Sequence, residues 1–198
     1  MARWLTMWIL AAAAAAAVGC DGENGGAEEE PTRRAASAVF DEQGDVVVSH
    51  HRRIPGTRVR LATPRGFEID PAYCRLDHAE LRASFIVTEM PNRLETTRQA
   101  FTDDALSARG MTVQHREEVT IDGQGGELIE VIEPGDADLT RVWIAVFGNK
   151  SGSVVLYAML PDTQEQALRT AMRNTLLGAK WDPSSAVDWF AGLGCDLL

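Results

Sequence analysis

The chain has 198 residues, 45% of them hydrophobic, and carries 19 Lys+Arg against 29 Asp+Glu, a formal charge of −10. That length suits one domain with a real core, and the acidic balance weighs against nucleic acid and anionic lipid headgroups as partners. No G-x-S-x-G elbow, H-E-x-x-H, C-x-x-C or P-loop occurs, so no motif announces a catalytic, metal or cofactor class.

The first segment reads as an export leader. Arg3 opens it, an apolar run follows from Leu5 to Val18, and small residues lead into Cys20. As helix those 14 residues cover about 21 Å, against roughly 30 Å of hydrocarbon, too short for a comfortable span. Ala17-Val18-Gly19-Cys20 resembles the lipobox of bacterial lipoproteins, with Ala17 where leucine is usual. The resemblance implies cleavage before Cys20, a diacylglycerol on its thiol and acylation (palmitate or a similar chain) of the new amino terminus. It also implies an envelope location on the extracytoplasmic side of a membrane. Asp21 favours the inner membrane slightly, by the rule known for enteric bacteria.

Residues 1–19 are thus the signal peptide, and the mature chain is near −11, since only Arg3 is lost. Residues 20–45 form the lipidated cysteine and a tether. Its Gly-rich, acidic stretch Asp21–Pro31 has too little apolar surface to offset the entropy of ordering. The domain spans 46–183 and a C-terminal tail 184–198. One basic cluster, His50-His51-Arg52-Arg53 with Arg58 and Arg60, stands out; it reads as a solvated strand edge or turn, with a docking patch for an acidic partner as the second reading.

Ordered structure begins at the apolar run Val46–Val48 or at Thr57–Leu61, which alternates like a half-buried strand. Ala62–Phe67 is a turn, and strands follow around Ala72–Cys74 and Ala83–Thr88. Asn92 with Glu95 predicts a capping box opening a helix, with Leu94, Phe101, Ala105 and Ala108 inward and Gly110 as its stop. Strands come next at Met111–Val113 and Glu118–Ile121, a turn at Asp122-Gly123, and a strand Glu127–Ile132 broken by Pro134-Gly135-Asp136. Arg141–Phe147 and Ser153–Leu160 are apolar on both faces, so both faces must be covered, and their five-residue link predicts an antiparallel hairpin. A last helix starts with Asp162 as cap and Glu165 as box partner, carries Ala167, Leu168, Ala171, Met172 and Leu176 inward, and stops near Gly178.

This order predicts an α+β domain, a three-layer α/β/α sandwich around a mostly antiparallel sheet. With Leu61–Phe67 (L-x-x-P-x-G-F), Ala108–Gly123, Trp143–Phe147 and Thr163–Trp181, residues 55–182 resemble the PsbP/Mog1-like superfamily, including envelope lipoproteins of the DcrB type. The resemblance implies that same sandwich and no common chemistry.

Two cysteines remain besides Cys20. Cys74 and Cys195 either form a disulfide, which an exported protein can hold, or stay as independent, partly buried thiols. Cys74 and His78 combine nucleophile and base types four residues apart, though packing or a disulfide explains Cys74 as well. His50-His51 with His115 or an aspartate is the only metal reading, and adjacent histidines point apart on a strand. Trp143 belongs in the core, Trp181 at a sheet edge or against a helix, and Trp189-Phe190 in a short amphipathic tail, Ala186–Leu193, that packs back on the domain. The expectation is a non-enzymatic lipoprotein without cofactor, metal or nucleic acid, held at the membrane by its lipid and binding or supporting an envelope protein. The alternatives are a ligand-binding module serving a transporter or sensor, with a deep apolar pocket, and a thiol enzyme or hydrolase.

Overall fold

A computed structural model of the chain describes residues 46–70, 74–135 and 138–186. In chain order these residues form β1 (Arg52–Arg53), β2 (Val59–Leu61), β3 (Glu68–Asp70), β4 (Arg75–His78), β5 (Ala83–Met90), α1 (Leu94–Arg98), α2 (Asp103–Ser107), β6 (Thr112–Ile121), β7 (Gln124–Pro134), β8 (Leu139–Gly148), β9 (Ser153–Pro161), α3 (Gln166–Leu177) and β10 (Lys180–Trp181). Seven strands make one sheet in the order β3-β4-β5-β9-β8-β7-β6, and β1-β2-β10 make a second. Every pairing is antiparallel.

The β8–β9 hairpin sits at the centre because its sequence is apolar on both faces. Trp143, Ala145, Phe147, Val154, Leu156, Ala158 and Leu160 join Leu168, Met172 and Leu176 of α3 in one core. Val142, Ile144, Val146 and Val155 join Leu94, Phe101 and Leu106 in the other. The register sets Trp143 opposite Ala158 and Ala145 opposite Leu156, so large and small side chains interlock across the strands. Each fully buried Leu or Ile contributes roughly 1.5–3 kcal/mol by leaving water. The α+β sandwich expected from the sequence is the observed one. Its second helical layer is shared, because Val59, Leu61 and Trp181 of the small sheet bury in the α3-side core.

β6 is a sheet edge and is protected against further pairing. A register shift between Val113 and His115 interrupts the ladder. Glu117 and Glu118 then point to opposite faces, as successive strand residues must. Glu117 meets Arg173 of α3 at 2.5 Å, and Glu118 meets Arg98 of α1 at 2.7 Å. The edge is thereby tied to both covering layers.

Several local expectations are corrected. The first helix is broken into α1, a 3-10 turn at Gln99–Phe101, and α2. Arg93 rather than Asn92 occupies its N-cap, without a side-chain bond, while the Asn92 carbonyl accepts from Ser153 Oγ at 3.0 Å. Thr102 is extended and caps α2, its hydroxyl accepting from the Ala105 N–H; this turns Leu106 into the core and leaves Ala108 exposed. Gly110, at φ +82°, ends the segment as predicted. Asp162 does not cap α3: Arg141 takes its carboxylate at 2.6 Å, Glu165 sits at the cap without a side-chain bond, and Ala167 is exposed. The strands expected at 111–113 and 118–121 are one strand with a bulge. Of the strand expected at Ala72–Cys74, Ala72 and Tyr73 lie outside the described residues, and Cys74 is a turn residue at φ +50°.

Candidate functional site

Cys20 and Cys195, and with them the tail from Val187, lie outside the described residues. Cys74 is half-buried, and its sulfur stands 3.3 Å from where a Cβ on Gly56 would lie. Burial, and then the negative charge of Glu89, push its thiol pKa up, the wrong direction for a nucleophilic thiolate. His78 is buried elsewhere, edge-on to Phe67 with ring centroids 5.5 Å apart. A Cβ on Gly66, at φ +86°, would fall 2.6 Å from its Nε2. Its Nδ1 accepts the Leu81 N–H at 3.4 Å, and burial pushes its pKa down. The two side chains pack against different glycines and each resists the charge that nucleophile–base chemistry needs.

His50 is exposed, the His51 Nε2–H donates to the Gly178 carbonyl at 2.9 Å, and His115 is exposed on β6. Among the described residues no group of three or more His, Cys, Asp or Glu could hold a metal ion. Trp143 is in the core. Trp181 packs at the small sheet, its ring 6.1 Å from and nearly perpendicular to that of Phe147.

The basic cluster forms the most distinctive surface. β1 pairs with β2 so that Arg53 stands opposite Arg60, and β10 pairs with the other edge of β2 so that Lys180 stands opposite the same Arg60. All three are exposed, while Val59, Leu61 and Trp181 point into the core. Directly opposed residues hold their Cβ atoms about 5 Å apart, and like charges there are unfavourable. Three cations thus line up across three strands.

The surroundings compensate them only partly. The Lys180 ammonium lies 3.1 Å from Asp122, whose other oxygen accepts the Trp181 N–H at 2.9 Å. That backbone bond first, and Lys180 next, hold the Asp122 carboxyl below the usual range. Arg58 is paired with Glu89 at 2.8 Å and donates to the Pro183 carbonyl. Arg53 spends its donors on neutral partners, the Thr57 and Ala186 carbonyls at 2.9 and 2.6 Å. Arg60 acts on the Asp182 carboxylate through charge alone, and that carboxylate is bonded to Ser184. A shallow cleft of about 230 Å³ opens over these groups. The sequence marks Arg53, Arg58 and Arg60 as basic neighbours; Lys180 enters only through β10, about 120 positions away.

A second concavity, about 450 Å³, runs between Val46, Val48 and the Ala167–Asn174 face of α3. Val48 is half exposed beside it. Both concavities lie on the surface. The space between sheet and helices, where a deep ligand pocket was expected on one reading, is filled by side chains such as Phe147, Leu156, Leu168 and Ile144 at 0–1% exposure.

No family model matches the sequence, and no curated protein matches it. Solved structures do resemble the fold. LpqN, described as involved in cell envelope biogenesis of Mycobacterium tuberculosis, is 13% identical over 69% of this chain and 90% of its own, with a TM-score of 0.50. Cyanobacterial PsbP (CyanoP) from Synechocystis sp. PCC 6803 is 14% identical over 70% of this chain and 96% of its own, with a TM-score of 0.48. The likeness is one of fold.

Proposed function

We propose that this chain is a non-enzymatic, lipid-anchored envelope protein of the PsbP/Mog1-like superfamily, held by Cys20 on the extracytoplasmic side of a membrane, where its domain binds or supports another envelope component. The observation that carries the reading is the junction Ala17-Val18-Gly19-Cys20 at the end of a short apolar leader. The apolar run Leu5–Val18 is short for a bilayer span, so attachment is assigned to the lipid. The packing of Cys74 and His78 against different glycines and their pKa directions weigh against the thiol-enzyme reading, and the packed interior of the described residues weighs against a deep-pocket carrier. LpqN shares the fold, and fold by itself transfers no role.

Two measurements test the reading. Cys20→Ala is expected to abolish metabolic labelling with a fatty acid and to free the protein from membranes; labelling that persists refutes the anchor. Cross-linking with mass spectrometry on intact cells is expected to capture an envelope protein that is lost when residues 46–183 are deleted and the anchor kept. A complex that survives this deletion refutes the domain's role.

A further inference from the structure

Of the chain's four histidines, His50, His51 and His115 are exposed and His78 is buried. It stands at the end of β4, where the chain turns through Ala79–Arg82 into β5, and its ring helps to fasten that turn. From these contacts we infer that His78 is a proton-operated latch. Unprotonated, it holds the Ala79–Arg82 turn closed; on protonation at mildly acidic pH it releases the turn and uncovers Leu81. The inference concerns the domain by itself and is independent of the proposed anchoring.

The turn is lightly held. Ala79, Glu80 and Arg82 are exposed, and Arg82 adopts φ +51°, a conformation uncommon for a residue with a side chain. The Arg82 N–H donates to the Ala79 carbonyl at 3.1 Å, which closes the turn on itself only. The turn is tied to the domain by the Leu81 side chain in the α3-side core and by the Leu81 N–H on His78 Nδ1. The Gln164 side chain adds a bond to the Leu81 carbonyl at 3.3 Å. Arg82 meets Asp138 at 3.5 Å, but both are exposed, and such pairs contribute little in water. A segment with so few anchors belongs to the part of a structure that opens locally.

The closed arrangement does not accommodate a second proton on the ring. Nδ1 accepts from Leu81 only while it carries no hydrogen; protonated, it sets one donor against another. The ring has no room to turn away, because Gly66 closes in on Nε2 and Phe67 stands edge-on. Gly66 and Phe67 bring no charge, and neither does Ala83, which β5 sets opposite His78. Burial disfavours the cation, against the pull of the exposed Glu80, of the ring's own backbone carbonyl and of the exposed Glu68. The folded pKa therefore lies below the free value of about 6.5. The latch's contribution is complete above that value and is lost as pH falls toward the folded midpoint, because the open turn takes up the proton first.

The test uses the full chain in detergent. Hydrogen exchange read by mass spectrometry follows the slow Cε1–H of each imidazole, which gives its titration midpoint, and the amides of the Ala79–Arg82 turn. His78 is expected to titrate below His50 and His115. As pH falls below about 6.5, exchange in the turn, corrected for the intrinsic rate, is expected to rise by up to about tenfold per pH unit, the limit for one proton. The amides of β8 and β9 keep their protection over the same range. His78→Asn sets an oxygen acceptor where Nδ1 stands and has no proton to gain, so the rise is expected to vanish; His115→Asn keeps it. Should His78→Asn fold poorly, the wild type decides through the His78 midpoint and the onset of opening. Four results overturn the inference: a rise that persists in His78→Asn, turn exchange that stays flat as the pH falls, a His78 midpoint at or above those of the exposed histidines, or protection lost in β8 and β9 in step with the turn. The last would assign the acid response to global unfolding.

Discussion

The β8–β9 hairpin and the β1-β2-β10 sheet are built on opposite terms. In the hairpin both faces are buried and nearly every side chain contributes to one of two cores. In the small sheet one face is core and the other sets three cations side by side. The first region is arranged for stability. The second accepts repulsion that the core beneath it must offset. A surface that carries such a cost within a well-packed domain is where binding free energy can be recovered.

Leu156→Ala breaks the hairpin side of this comparison most severely. Leu156 is fully buried opposite Ala145, and its truncation is expected to cost about 3 kcal/mol in urea unfolding. A cost below about 1 kcal/mol would mean that the hairpin is not the centre of stability.

Asp122→Asn probes the link between the regions, because Asp122 at the β6–β7 turn holds both Lys180 and the Trp181 N–H. Asn tolerates the positive φ of +51° at this position, so mainly charge is lost. At neutral pH the variant is expected to be about 1 kcal/mol less stable. The folded carboxyl pKa is depressed, so the contribution is present above the unfolded value, about 3.9, and is lost as pH falls through the lower folded value. The wild type should therefore lose stability more steeply below pH 4 than the variant; parallel curves would remove Asp122 from this role.

Arg60→Thr is the smallest effect and the sharpest contrast. Removing the middle cation is expected to raise stability by about 0.5 kcal/mol at low salt, a gain that shrinks at 0.5 M salt as repulsion is screened. Loss of stability at low salt would show that the row contributes to the fold and carries no repulsive cost.

The hairpin was legible in the sequence because two-faced burial leaves a local mark: apolar residues at both parities of a strand bounded by Gly148 and Gly152. The Asp122-Gly123 turn was legible for a similar reason, since both residues adopt positive φ in the two-residue loop that Asp-Gly favours. The helix starts were not. Asn92 and Asp162 have the right chemistry for caps, but the Asn92 backbone meets Ser153 and Asp162 is claimed by Arg141, partners set by the tertiary fold. The row was half legible. Arg53, Arg58 and Arg60 are near in sequence, whereas Lys180 and Asp122 come from remote elements, and strands two residues long carry no periodicity to reveal their register.

The strand that completes the row has a consequence for the order of assembly. β10 pairs with β2 across about 120 residues of chain, and closing so long a span comes late when shorter contacts are available. During synthesis Lys180 and Trp181 emerge only after all seven strands of the large sheet. The charged face therefore exists only in molecules whose two ends have met, and a chain stopped before Lys180 would carry the two-faced hairpin but lack the finished row.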